Sequence, residues 1–231
     1  MPYTSGVFLF FGIRTMTSPS SSPTKIPLTA LILAGGASSR MGTNKALLEL
    51  DGIPLIERVL AVVTTLTPDI LIVTNDPGPY RYLNLPTVAD REPGQGPLMG
   101  LYSGLLAAHG ELALLVACDM PFLQRSVLEY LLTGAEGFDV IMPYSEDGLH
   151  PLCAVYRRRT CLPAIAHALA ERKRKMIAFL DEVRVRRVGL SELRPLDPDG
   201  LSLMNVNTPE DLALAREILH KSKVNPQRPE D

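Results

Sequence analysis

Three cysteines, Cys118, Cys153 and Cys161, are all that this chain of 231 residues contains. Their odd number and their spacing fit neither a disulfide-stapled secreted domain nor a zinc module. Reduced thiols in a cytoplasmic protein are the expectation, and Cys118, set in an apolar run, reads as a small structural hydrophobe. Long hydrophobic stretches are missing too: none approaches the ~20 residues a membrane-spanning helix needs. A basic excess is also absent. The formal net charge is −2 and the isoelectric point about 6.1, which argues against a nucleic-acid partner held through its phosphates. The four histidines, His109, His150, His167 and His220, are scattered and form no constellation for nucleophilic or metal chemistry.

What is present is a hydrophobic fraction of 46% with 21% charged residues, the balance of a globular protein with one sizeable core. Residues 1–25, with a Ser/Pro run from Ser18 to Pro23, read as a disordered extension outside the fold. They are followed by a domain over 26–220 and a polar flexible tail over 221–231.

The apolar run Leu28 to Leu33 reads as a buried strand that discharges into a loop of small residues. Gly35, Gly36 and Gly42 permit a nest of inward-turned backbone N–H groups, and Arg40 and Lys45 add two positive side chains. A loop that is small, donor-rich and cationic suits phosphates. It is not a P-loop, because Thr43 and Asn44 separate Gly42 from Lys45, and it lacks the dinucleotide fingerprint G-x-G-x-x-G.

Beyond it, two short extended arms flank Asp51-Gly52, and Pro54 opens an amphipathic helix. Strands are expected over 69–74, 85–89, 111–118, 139–142, 149–156 and 183–188. Helices are expected over 97–108, 124–132, 157–170 and 175–181, and from Thr208-Pro209, an N-cap followed by Pro at the first helical position, to about Leu219. Strands alternating with helices imply a three-layer αβα, Rossmann-like fold with a mostly parallel, twisted sheet. Such sheets bind ligands at the carboxyl ends of their strands. The glycine loop, Asn75, Asp90 and Asp119 all fall at such ends.

Asp119, on the end of the most apolar strand, offers a hard oxygen ligand suited to Mg²⁺, which takes one or two carboxylates together with substrate phosphates. A helix N-cap before Pro121 is the competing role for this residue. Arg40 and Lys45 would neutralise the β- and γ-phosphates of a nucleoside triphosphate and the pyrophosphate leaving from it. A phosphate nucleophile needs no histidine or thiol base, so catalysis reduces to positioning and charge neutralisation.

The pattern L-A-G-G-x-x-x-R-M-G-x-x-K over 33–45 resembles the opening of the molybdenum cofactor guanylyltransferases. Gly96-Pro-Leu-Met-Gly100, Cys118-Asp-Met-Pro121, Pro151-Leu-Cys-Ala-Val-Tyr156 and Asn205-Val-Asn-Thr-Pro-Glu-Asp211 look like that family's later motifs, in order, across about 28–219. The resemblance implies transfer of GMP from GTP to the phosphate of molybdenum-molybdopterin, with Mg²⁺ as cofactor and release of pyrophosphate. By position it implies that Leu33, Ala34, Gly35 and Lys45 contact GTP, that Asn75 and Asp90 help hold the nucleotide, and that Asp119 binds the metal and the phosphates. Asn205 and Asn207 would face the pterin. Met99 departs from the family's usual alanine and would add bulk near the nucleotide.

Molybdoenzyme apo-proteins or cofactor-insertion proteins are the implied partners. The rival readings are a cytidylyltransferase for the same acceptor, a sugar-phosphate nucleotidyltransferase and a non-catalytic cofactor-delivery adapter. The basic runs 157–159 and 172–175 read as solvated helix faces, with attraction of the pterin phosphate or of an acidic partner as the alternative.

Overall fold

In the computed structural model of the chain, residues 26–35 and 44–224 are described. The expectations for 1–25, for Gly36, Arg40 and Gly42, and for 225–231 lie outside the described residues.

The chain runs through β1 (Leu28–Leu33), β2 (Glu49–Leu50), β3 (Ile53–Pro54), α1 (Leu55–Val63), β4 (Ile70–Val73), β5 (Thr87–Val88), α2 (Pro97–Ala107), β6 (Leu112–Ala117) and α3 (Arg125–Thr133). It continues through β7 (Val140–Ser145), β8 (Gly148–Leu149), β9 (Cys153–Arg157), α4 (Arg158–Ala170), β10 (Val185–Gly189), α5 (Leu190–Leu193) and α6 (Pro209–Val224). The main sheet is ordered β10-β7-β9-β6-β1-β4-β5, with β8 paired to β7. Its pairings are parallel except those of β9 and β8.

Strand periodicity decides the layers. Along β1, Ala30 and Ile32 face one core while Leu31 and Leu33 face the other, and β4 and β6 alternate in the same way. The first core takes the apolar stripes of α1 and α3, and the second those of α2 and α4. The αβα sandwich expected from the sequence is therefore the observed architecture. Helix α2 lies close on the sheet: a Cβ on Gly104 would stand 2.8 Å from Leu31 Cδ1, and one on Gly100 2.7 Å from Leu33 Cδ1. A third, small core of Leu50, Leu55, Val206, Leu212 and Ala215 joins the β2–β3 arm to α6.

Three expectations are corrected. The stretch 149–156 is not one strand; it divides into β8, a turn at 150–152 and β9, which runs against its neighbours. The stretch 175–181 is turns leading into a 3₁₀ helix at Leu180–Glu182. It follows α4, where Arg172 adopts φ 59° and its backbone N–H closes on Leu169 O, a left-handed stop that halts the helix. Helix α6 reaches Val224, beyond the expected end at Leu219. Its start is a reciprocal cap in which Asp211 N donates to Thr208 Oγ1 (3.1 Å) and Asp211 Oδ2 accepts from Thr208 N (2.8 Å).

Candidate active site

The register of the sheet assembles the site. Leu33 is paired with Val73 on one side and Ala117 on the other, and Val73 with Val88. The residues two places further on, Gly35, Asn75, Asp119 and Asp90, therefore arrive side by side on the carboxyl rim. The ladder continues past the strands, with Ala34 N donating to Val73 O (2.9 Å) and Cys118 N to Leu33 O (3.2 Å). Asn75 and Asp90 interlock: Asn75 Nδ2 donates to Asp90 Oδ2 (2.7 Å) and Asp90 N to Asn75 Oδ1 (2.8 Å).

Above this rim opens a cleft of about 1140 Å³. Leu33, Ala34, Gly35, Lys45, Asn75, Asp90, Asp119, Asn205 and Asn207, all proposed from the sequence, line it together. Arg40, the remaining candidate, lies outside the described residues. Gly94, Gly96, Pro97 and Gly100 add a wall from the α2 side. Gly96 holds φ 81°, which a side chain would strain.

The Asn205 segment reaches the cleft because Val206, fully buried in the third core, donates its N–H to Asp119 O at 2.9 Å. The two asparagines on either side of it then line the cleft. Lys45 Nζ donates to Asn207 Oδ1 at 2.9 Å, so the end of the glycine loop meets the chain's last motif.

Asp119 is electrostatically exceptional. Burial raises its carboxyl above the usual range, against the opposing pull of the Lys45 charge. Its Oδ1 is buried with no hydrogen-bond partner among the described residues. An orphaned carboxylate oxygen of this kind fits a cation ligand. It is not a helix cap, since α3 starts at Arg125 behind Gln124. Among the described residues no three acidic, histidine or cysteine side chains gather as a protein-only metal cage. A metal here would share one carboxylate with oxygens of the substrate.

Other features take no part. Met99 is buried and is not among the lining residues, contrary to the expectation that it crowds the nucleotide. The three cysteines are free, and burial pushes the Cys153 and Cys161 thiols up to about 12 and Cys118 higher still, which leaves them unreactive. Of the run at 157–159 only Arg159 is exposed; Arg157 Nη2 donates to Ala135 O (2.8 Å) and Nε to Phe138 O (3.2 Å), and Arg158 Nε donates to Leu105 O (2.8 Å). Arg157 and Arg158 are straps between layers. Residues 172–175 are exposed. No described helix is long and apolar enough to cross a membrane.

Two lining residues, Asn44 and Tyr80, were not legible in the sequence. Asn44 sits beside Lys45, a position that offers a hint, but Tyr80 lies in a turn-rich stretch with no motif of its own.

The MobA-like NTP transferase domain family matches residues 30–185. The molybdenum cofactor guanylyltransferase of Desulfosudis oleivorans is 38% identical over 200 residues, covering 86% of this chain and 98% of that protein. A probable molybdenum cofactor guanylyltransferase of Carboxydothermus hydrogenoformans is 38% identical over 188 residues, covering 80% and 92%. Among solved structures, molybdopterin-guanine dinucleotide biosynthesis protein A from Archaeoglobus fulgidus aligns with a TM-score of 0.73 at 29% identity, covering 84% of this chain and 99% of that one. With a nucleotide-sized cleft at the sheet's carboxyl rim and relatives that span the fold from end to end, the chain is a nucleotidyltransferase and belongs to the MobA-like NTP transferase domain family.

Proposed function

We propose that the protein transfers GMP from GTP to the terminal phosphate of molybdenum-molybdopterin, yielding the guanine dinucleotide form of the cofactor and pyrophosphate. The observation that carries this reading is the buried, unpartnered carboxylate oxygen of Asp119 beside Lys45 in a cleft roomy enough for two substrates. The relatives named as guanylyltransferases supply the choice of base and acceptor.

An oxygen of the acceptor phosphate attacks the α-phosphorus of GTP, a P–O bond forms there, and the bond to the β-phosphate breaks with pyrophosphate carrying the electron pair away. Asp119, together with phosphate oxygens of the substrate, would hold a Mg²⁺ ion, which would supply charge neutralisation. Lys45 binds the departing phosphates, and Gly35 contributes a backbone without a side chain where the triphosphate approaches. The Asn75–Asp90 pair holds the nucleotide from the β4–β5 side, while Asn205 and Asn207 orient the pterin. A phosphate nucleophile is already ionised at neutral pH, so no base residue is required. The reaction is set in the cytoplasm, with molybdoenzyme apo-proteins or insertion proteins as recipients of the product.

Thermal-shift titration with GTP, CTP, ATP and UTP, each with Mg²⁺, tests the reading, because a ligand that binds only the native state raises stability by RT ln(1 + [L]/Kd). GTP is expected to stabilise most. A dominant shift with CTP would replace guanylyl by cytidylyl transfer, and incubation with GTP and acceptor that releases no pyrophosphate would favour the delivery adapter.

A further inference from the structure

Tyr80 belongs to the 3₁₀ segment Gly78–Leu83 that follows β4, and its ring is sealed in the first core at 1% exposure. Tyr80 is among the residues lining the cleft, and its hydroxyl meets two parts of the chain. It stands 3.1 Å from Ala34 O, just past the end of β1, and receives Asn44 Nδ2 at 3.0 Å. Asn44 Oδ1 in turn accepts from Ala46 N at 3.1 Å and so caps the 3₁₀ helix Lys45–Leu47.

The hydroxyl oxygen lies 3.1 Å from both Ala34 O and Asn44 Oδ1, and its single proton serves one of them at a time. Asn44 Oδ1 already accepts from Ala46 N and Asn44 Nδ2 donates to the phenol oxygen, so giving the phenol proton to the Ala34 carbonyl leaves each of these groups with a partner. Burial pushes the Tyr80 phenol up to about 12, so the donating proton is retained at any working pH.

We propose that Tyr80 is a positioning residue of the nucleotide site: its hydroxyl ties residue 34 to residue 44, the two ends of the glycine loop, and thereby sets Lys45 relative to Gly35 and Asp119. The geometry is that of a crossbrace beneath the site. It acts through Lys45. A charged donor misplaced by about 1 Å loses much of its worth to a developing phosphate charge. The inference rests on the proposed reading of Lys45 as a phosphate ligand.

The test compares the full-length native protein with Tyr80→Phe, Lys45→Ala and the double variant, reading the Kd for Mg–GTP by calorimetry and the melting temperature of each. Tyr80→Phe keeps the ring and its packing. It is expected to weaken GTP binding about tenfold in the native background, and less than about twofold once Lys45 is gone, because two residues that act through one contact are not additive. Asn44→Ala, which cuts the brace from its other end, is expected to reproduce the loss and carries the test should Tyr80→Phe fail to fold. Unchanged GTP affinity in Tyr80→Phe, or equal losses in both backgrounds, would overturn the positioning role and leave the hydroxyl a stabilising contact seen in the melting temperature alone. Failure of the native protein to bind any nucleoside triphosphate would instead overturn the reading of the site, and the inference with it.

Discussion

The ammonium of Lys45 donates to the side-chain oxygen of Asn207 across 2.9 Å, joining the end of the glycine loop to the segment that precedes the last helix. On the proposed reading of the site, the contact would set the triphosphate and the acceptor side by side. Lys45→Ala is expected to lower kcat/KM by roughly 10²–10³, the loss typical of a donor aimed at developing charge. Asn207→Ala is expected to raise the KM for the acceptor while leaving the Kd for GTP within about threefold of native. Steady-state kinetics with each substrate varied in turn separates the two.

Asp119 opposes stability and function. Its carboxyl is raised by burial, so its contribution to stability is full below the unfolded value, near 3.8, and is lost as pH rises through the folded value. At neutral pH without metal the charged form is a cost. Asp119→Asn is therefore expected to raise the melting temperature of the ligand-free protein at pH 7 by a few degrees, about 2–4 °C for each ~1 kcal/mol relieved. On the proposed reading, the same change is expected to abolish metal-dependent turnover. Calorimetric melting with and without Mg–GTP gives both signs in one experiment.

Asp139 behaves in the opposite sense. Burial alone would raise its carboxyl, but hydrogen bonds from the Arg184 side chain (3.1 Å) and backbone N–H (2.9 Å) outweigh burial and lower it. Its stabilisation is present above the unfolded value and disappears as pH falls through the folded one. Asp139→Asn is expected to cost about 1–3 kcal/mol at pH 7 and progressively less below pH ~3.8. Urea unfolding at pH 7 and pH 3 checks the difference.

Gly100 lies where α2 comes down on the end of β1. An alanine there would place Cβ 2.7 Å from Leu33 Cδ1 and 3.5 Å from Asp90 Oδ1. Helix propensity gains about 1 kcal/mol from the change, and overpacking costs about 1–3 kcal/mol. A small net destabilisation is expected, together with a several-fold rise in the KM for GTP, because the displaced atoms belong to residues lining the cleft. A melting curve paired with GTP kinetics reads both effects.

The rim was legible because polar residues at the ends of apolar runs have one sensible place in an αβα sandwich. Gly35, Asn75, Asp90 and Asp119 needed only strand ends and the carboxyl-edge rule, and the register then brought them level. Strand direction is not written in hydrophobicity, so β9 passed as the tail of a single longer strand. Arg157 and Arg158 depart from the expected solvated face because partners such as Ala135 O and Leu105 O are supplied by layers distant in sequence. Tyr80 and Asn44 are 36 residues apart, and nothing local announces that they meet.

The reversed strand β9 has a consequence for biosynthesis. It inserts between β6 and β7, and its pairing joins Leu112 to Arg157 and Cys153 to Val116. As the chain leaves the ribosome, β1, β4 and β6 can associate early, yet β6 keeps an open edge until the residues of β9 have been made. All six residues of β6 are buried in the finished fold, so the strand beside that edge is apolar. The half of the sheet that carries the cleft rim thus keeps an unpaired edge until a strand encoded some forty codons later is available.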